Sequence, residues 1–410
     1  MMNLLKYITN IVLIVNSVSG FIHIKNTNNK VYYVDDDDNS RIFHGIAKIS
    51  HDGNIGNELN LSTMLEYGFN VQRYGFTWQL YETDINVWNE TYMDEIEKVI
   101  NRLGEAGIYT ILDMHQDVAS KLYCDSHGFP EFYSYPYINA LYEGNGSRAF
   151  PEPLSKPYGV IGEQAACNNI QKFGWFSSYI TYAVCSAFQR LYDNDEFFME
   201  YFGNFWERVV LRFSNNSYVL GYEILNEPWL GDIYKDIRYV YPPYAEKHNI
   251  QKLYNYISQR IRKYDTEHII FFEPAIGGNF EDLFSTGFDS SPVGNNSAMS
   301  YHIYCPLFQA DIKIHNTGNI MYGICKLDNS IFVDLRAKDT QKLGVGGFLT
   351  EFGALSDYSK NPMKLIRNTL NQLDIYQHGW TYWANIPDNI TVLKELSRTY
   401  APIVGGEVVI

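Results

Sequence analysis

The chain has 410 residues, 46% hydrophobic and 19% charged, a balance that buries a core and excludes a mainly disordered chain. Its 32 Lys and Arg stand against 47 Asp and Glu, for a net charge of −15, which excludes a general electrostatic pull toward nucleic acid or anionic lipid surfaces. With 34 Tyr and 7 Trp, the chain is rich in rings that stack on sugars, so a carbohydrate site stays open.

Residues 1–20, MMNLLKYITNIVLIVNSVSG, run from a positive start at Lys6 through an apolar stretch to Ser17, Ser19 and Gly20. That order predicts a secretory signal peptide over residues 1–20, cleaved after Ser19 or Gly20. It is too short to span a bilayer, and no later segment reaches the length needed. Sequons at Asn60, Asn89, Asn145, Asn215, Asn295 and Asn389 fit a secreted route. So does an extracellular or lysosome-like digestive location. Cys124, Cys167, Cys185, Cys305 and Cys325 show no metal-type spacing, so no metal or cofactor is expected. One or two disulfides are expected in an oxidising compartment, with at least one thiol left over.

Residues 21–410 read as one domain. Phe21–Ile24 and Val31–Val34 form a short N-terminal β-hairpin, and Asp35 to Asp38 a solvated turn. Eight strand-like runs follow: Ile42–Ile46, Asn70–Tyr74, Tyr109–Met114, Val219–Ile224, His268–Glu273, Met299–His302, Gly347–Glu351 and Gly379–Trp383. Between them lie amphipathic stretches. In Tyr92–Ala106, Ile96, Val99, Ile100 and Leu103 share one helical face. Phe197–Arg212, Tyr244–Tyr264 and Asn361–Gln377 read the same way. Eight alternations predict an α/β fold, a (β/α)8 TIM barrel. A doubly wound open sheet is the alternative, but the Gly-rich phosphate loop that usually marks it is missing. A long insertion follows the third barrel strand, from His115 to Tyr218. It contains a helix-like patch at Thr181–Tyr192, and its first part is expected on the C-terminal face.

Polar residues gather where strands end. Arg73 closes the second strand, His115 and Asp117 the third, and Asn226 and Glu227 the fourth. His302 and Tyr304 close the sixth, Glu351 the seventh and Trp383 the eighth. In a barrel, such ends converge on one catalytic face. Glu227 and Glu351, on the fourth and seventh strands, would oppose each other across the mouth. Opposed carboxyls suit glycoside hydrolysis, one protonated to release the leaving oxygen and one ionised to attack the sugar carbon. Glu223, Asp113 and Glu273 compete as strand-associated acids, with Glu223 expected in a structural ion pair. Solvated loop carboxylates are the plain alternative for Glu227 and Glu351. Asn226 is placed to bind a sugar 2-OH, and Arg73 and Tyr304 to hold Glu351. His302 is placed to tune the proton of Glu227, and Trp383 to offer an apolar face.

These residues carry a resemblance. The chain resembles glycoside hydrolase family 5 and, within it, the endoglycoceramidases. The family's general marks are matched by Arg73, His115, Asn226–Glu227–Pro228, His302, Tyr304, Glu351 and Trp383. Narrower ones are DMHQD at 113–117, GYEILNEPW at 221–229, FFEP at 271–274, HIYC at 302–305, TEFGA at 350–354 and SRTYA at 397–401. The resemblance implies a retaining hydrolase that cuts the β-bond between an oligosaccharide and ceramide, with Glu227 as acid/base and Glu351 as nucleophile. It implies contact of Asp117 with the glucose next to ceramide. It also implies a glycosphingolipid partner, transient contact with lipid surfaces or micelles, and a monomer that binds no nucleic acid. The chain departs from the family at the first strand, where Gly45 is followed by Ile46 and Ala47 in place of Gly-x-Asn. The Lys expected soon after falls near His51. The family's β-sandwich after the barrel is not expected before Ile410. A β-glucosidase or glucosylceramidase, an endoglucanase, and a carbohydrate- or lipid-binding module without catalysis are the competing readings.

Overall fold

A computed structural model describes residues 20–27, 30–50, 61–121, 123, 127–133, 175–276, 283–305, 319–354, 359–384, 389–397, 403–404 and 407–408. Residues 1–19 of the signal segment, His51, Asn60, Asn145, Cys124, Cys167 and most of SRTYA lie outside these residues.

The N-terminal hairpin is present as β1 (His23–Thr27) against β2 (Lys30–Val34), and a short β3 (Ser40–Arg41) adds a third antiparallel strand. The turn between β2 and β3 is held by Asp35. Its carboxylate accepts from the backbone N–H of Asp37 and Asn39 and from the Arg41 guanidinium.

Eight parallel strands close the barrel. In chain order β4 is His44–Ile49 and β5 is Val71–Phe76. A side hairpin of β6 (Glu82–Asp84) and β7 (Val87–Trp88) follows. The barrel resumes with β8 (Tyr109–Met114), β9 (Val219–Glu223), β10 (Ile269–Phe272), β11 (Ser297–Ile303), β12 (Gly346–Phe352) and β13 (Gly379–Tyr382). The barrel strands pair in chain order, and β13 closes on β4. All eight runs expected from the sequence are therefore present, and the closed ring rules out the open-sheet alternative. The short pair β14 (Ile403–Val404) and β15 (Glu407–Val408) comes last.

The N-terminal sheet plugs the bottom. Ile22, Tyr33 and Phe43 pack with Val71, Ile111, Leu220, Ile269 and Phe348, and the Tyr33 hydroxyl donates to Gly347 O at 3.0 Å. Those contacts close the end of the barrel opposite the strands' C-terminal ends.

The helices bury the faces their apolar spacing marks. In Glu90–Glu105, capped by the Asn89 side chain on Tyr92 N at 3.1 Å, residues Ile96, Val99, Ile100 and Leu103 are buried. Its acidic face meets Arg212 of helix Phe198–Phe213, whose Nε donates to Glu97 Oε2 at 2.9 Å. The stretch expected as one helix over 244–264 is three pieces. Pro242–Ala245 leads into a wider π turn at Glu246–Ile250, then into Gln251–Arg262. The turn seats buried Glu246, which accepts from Ala275 N, Thr286 Oγ1 and Gly287 N and ties the loop after β10 to this helix.

Cys305 is bonded to Cys325, linking the end of β11 to helix Asn319–Leu343. Cys185 is a buried free thiol that accepts from Trp229 Nε1 at 3.2 Å. Among the described residues, no helix is long and apolar enough to cross a membrane.

Candidate active site

Arg73 organises the mouth of the barrel. Its three nitrogens reach side chains of two strands, β9 with the turn after it and β12. Nε donates to Glu223 Oε2 at 2.5 Å, Nη1 to Glu351 Oε1 at 2.5 Å, and Nη2 to Asn226 Oδ1 at 2.7 Å. Asp113 Oδ2 lies 3.1 Å from Nη2. The guanidinium is 1% exposed. Burial alone would lower its pKa, but Asp113, Glu223, Glu351 and Glu273 outweigh that and raise it. Only Arg offers this fork, so Lys is no equivalent here. The structural ion pair expected for Glu223 is present. Gly75, in register with Asp113 on β8, leaves the room: a Cβ there would sit 3.2 Å from both Asp113 Oδ2 and His115 Cβ.

Glu351 comes from β12. Its Oε2 accepts from the Tyr304 hydroxyl at 2.7 Å, so each oxygen has its own donor and the rotamer is fixed. Burial first, and then the Glu351 charge, raises the Tyr304 phenol well above its ordinary pKa, which keeps it a donor.

Glu227 follows β9 and has a different setting. It is 8% exposed, and its backbone is left-handed, with φ 46°. Two side chains hold that backbone. Gln116 Nε2 donates to Asn226 O at 2.7 Å and Glu227 O at 2.9 Å. Glu227 N donates to Glu273 Oε2 at 3.1 Å. The Glu227 carboxyl faces His302, with Oε1 2.7 Å from Nδ1. Burial raises the Glu227 pKa, opposed by His302 and assisted by Glu351 and Asp117. Oxygens of Glu227 and Glu351 and a nitrogen of His302 all lie within 4.8 Å of one another.

The third-strand residues form a neighbouring wall. His115 Nδ1 is 2.6 Å from Asp113 Oδ2, and its Nε2 is 3.6 Å from Asp117 Oδ2. His127 Nε2 is 3.1 Å from the same Asp117 oxygen. Burial alone would lower the His115 pKa, but Asp113 and Asp117 push it up to about 10. Asp117 is held well below the usual carboxylate range: burial opposes this, and His115 and His127 prevail. The Trp383 indole is parallel to His115 within 8°, with ring centres 5.6 Å apart.

The structure thus brings together Arg73, Asn226, Glu227, His302, Tyr304 and Glu351, with His115, Asp117 and Trp383 beside them. Sequence reading gave no role to three residues. Gln116 lay inside the HQD element, where its neighbours drew attention. Glu273 was weighed only as a rival acid. His127 lies ten positions after Asp117 in a Gly-Pro-rich stretch and carried no signal.

Of the insertion's aromatics, Phe132 and Phe176 are half-buried against the core. Phe129, Tyr133 and Tyr179 are buried and pack the insertion onto the barrel. Tyr135 and Tyr137 lie outside the described residues.

A closed (β/α)8 barrel with opposed, differently housed carboxyls at its mouth defines the architecture of a barrel glycosidase. The chain belongs to glycosyl hydrolase family 5: the family model described as Cellulase (glycosyl hydrolase family 5) matches residues 45–389. It is 30% identical over 370 residues to an endoglycoceramidase of Hydra vulgaris and 29% identical over 360 residues to one of Cyanea nozakii. These matches cover 85% and 84% of this chain and 65% of each relative. Its fold is similar to that of endo-glycoceramidase II from Rhodococcus sp. in complex with ganglioside GM3. The TM-score is 0.70 at 20% identity, covering 90% of this chain and 81% of that one.

Proposed function

We propose that the chain is a retaining β-glycosidase that cleaves the bond between the oligosaccharide and the ceramide of glycosphingolipids. The observation that carries the chemistry is that an oxygen of Glu227 lies within 4.8 Å of an oxygen of Glu351. Retaining pairs sit about 5–5.5 Å apart, whereas inverting pairs need about 6.5–9.5 Å to admit a water.

In the first step a Glu351 oxygen attacks the anomeric carbon. The bond to the leaving oxygen breaks, and Glu227 passes its proton to that oxygen. In the second step Glu227, now a carboxylate, takes a proton from water. The water oxygen attacks the same carbon and Glu351 is released. Each carboxyl's neighbours suit its part. Arg73 and Tyr304 compensate and orient Glu351, and burial favours the proton on Glu227. Asn226, His115, Asp117 and Trp383 are assigned to sugar binding.

The substrate assignment draws on the two cnidarian relatives named above, both endoglycoceramidases. It also draws on an apolar rim. Ile237, Val240 and Tyr241 lie in the segment after Glu227 and are at least half exposed. Leu283, in the segment after β10, is 66% exposed. The rings of Tyr241 and Phe284 join the two segments at 5.0 Å. Apolar surface beside a glycosidase mouth suits ceramide chains or a lipid surface touched in passing. The Cys305–Cys325 bond is in keeping with our assignment to a secreted or lysosome-like digestive compartment. We assign residues 21–410 to one catalytic domain acting as a monomer.

Thin-layer analysis of digests of GM1, glucosylceramide and cellopentaose tests the reading. It expects an intact oligosaccharide and free ceramide from GM1. Cleavage of cellopentaose or glucosylceramide alone would overturn the substrate assignment.

A further inference from the structure

Glu273 has no place in the two-carboxylate scheme, yet it touches two parts of the acid side. It follows β10 and is 3% exposed. Its Oε2 accepts from the backbone N–H of Glu227 at 3.1 Å. Its Oε1 lies 3.3 Å from His302 Nε2, and the other nitrogen of that ring faces Glu227 Oε1 at 2.7 Å. A left-handed φ is costly for a residue with a Cβ and persists only where neighbours over-determine it. At Glu227 the holders are Gln116 on the carbonyl side and Glu273 on the N–H side.

We propose that Glu273 is a positioning residue for the acid carboxyl: it fixes the backbone of Glu227 and the ring of His302, so that the imidazole presents Nδ1 to the carboxyl that gives up the proton. The inference rests on the reading of Glu227 as the acid.

The surroundings make the arrangement electrostatically coherent. Glu273 faces His302, Arg73 at 3.6 Å and the Glu223 charge, and its own backbone exchanges hydrogen bonds with the Tyr254 hydroxyl. His302 faces Glu227, Glu351, Glu273 and the Tyr304 ring. Burial raises Glu273 to about 8 against the pull of His302. For His302, burial alone would lower the pKa, but Glu273 and Glu351 raise it well above the ordinary value. Removing the Glu273 carboxyl therefore lowers the His302 pKa, because one flanking charge is lost.

The test compares Glu273→Gln and Glu273→Ala in the full chain. Both are checked for cooperative melting. The probes are octyl β-lactoside, whose leaving group needs the acid, and 2,4-dinitrophenyl β-lactoside, whose leaving group does not. For Glu273→Gln we expect His302 to titrate about one pH unit lower by NMR, with the signal assigned by its loss in His302→Gln. On the octyl substrate we expect kcat to fall about tenfold with KM within about twofold, and the dinitrophenyl substrate to lose far less. Glu273→Ala also removes the acceptor for Glu227 N and is expected to lose about tenfold more. An unchanged His302 titration, or equal losses on both probes, overturns the proposal. Should Glu227→Ala also treat the probes alike, the acid assignment falls, and the His302 titration still decides the role of Glu273. If Glu273→Ala does not fold, Glu273→Gln alone carries the test.

Discussion

The two carboxyls at the mouth differ more in their neighbours than in their positions. Glu351 sits within β12, just past a shift in its register against β11, and accepts one hydrogen bond on each oxygen, from Arg73 and from Tyr304. Glu227 sits past the end of its strand in a left-handed turn, facing an imidazole, with its backbone held by Gln116 and Glu273. One setting compensates a charge; the other, by burial, favours a proton. In the proposed mechanism, two glutamates on one barrel thus acquire opposite tasks from their surroundings.

The sharpest break in that comparison is Glu351→Gln. In Glu351→Ala, whose truncated side chain leaves room for a small anion, azide is expected to restore part of the rate; in Glu351→Gln, losing the nucleophile is expected to lower kcat by at least about 10⁴-fold on every substrate. Near-normal turnover by this variant would reverse the assignment. Glu227→Ala is expected to cost about 10²–10⁴-fold on ganglioside but far less in the first step on an aryl glycoside, read in stopped flow. Equal loss on both would assign Glu227 another task. Arg73→Lys keeps a charge but not the fork that joins Glu223, Asn226 and Glu351. A fall of about 10²-fold in kcat/KM is expected, with a lower melting temperature.

The pH profile separates the two settings further. In the proposed mechanism Glu227 works protonated in the first step, and its pKa is raised by burial. Activity on an alkyl glycoside is therefore full below that pKa and lost as pH rises through it. His302 pulls the same pKa down, so His302→Gln is expected to move the alkaline limb of kcat/KM up by about one unit. A limb that stays in place would detach His302 from the acid. The smallest effect is expected at the rim. Ile237→Ser with Val240→Ser is expected to slow ganglioside hydrolysis from vesicles about three- to tenfold and to leave a soluble aryl lactoside unchanged. Equal rates on both would free the rim from lipid contact.

Much of this arrangement was legible in the sequence, for a physical reason. A barrel strand is a short apolar run buried on both faces, and its catalytic end is where the run turns polar. His115, Asn226–Glu227, His302, Glu351 and Trp383 mark such ends, whereas Arg73, expected to close its strand, lies in the middle of β5 and reaches the site by the length of its side chain. Helix Asn319–Leu343 was not anticipated. Buried Phe332, Val333 and Arg336 share it with exposed Ile324, Leu327 and Ile331, so no clean stripe marks it. The π turn at Glu246–Ile250 was also invisible, because it answers to loop partners far along the chain. Glu273 could be seen as a strand-end acid. Its contact with the backbone of Glu227, 46 positions away, depends on a left-handed turn that no local pattern announces. The insertion's aromatics carry no such signal, because packing and lipid contact demand the same residue types.

The central claim is covalent catalysis by Glu351 with Glu227 as its acid. It is tested most directly by incubating the protein with 2,4-dinitrophenyl 2-deoxy-2-fluoro-β-lactoside and measuring intact and peptide masses. The fluorine slows both steps, and the good leaving group restores the first, so the intermediate accumulates. The account predicts one fluorolactosyl group per chain, on the peptide that contains Glu351, and none in Glu351→Gln. A label on Glu227, or 2-deoxy-2-fluorolactose released with inverted anomeric configuration and no label on the chain, would contradict it.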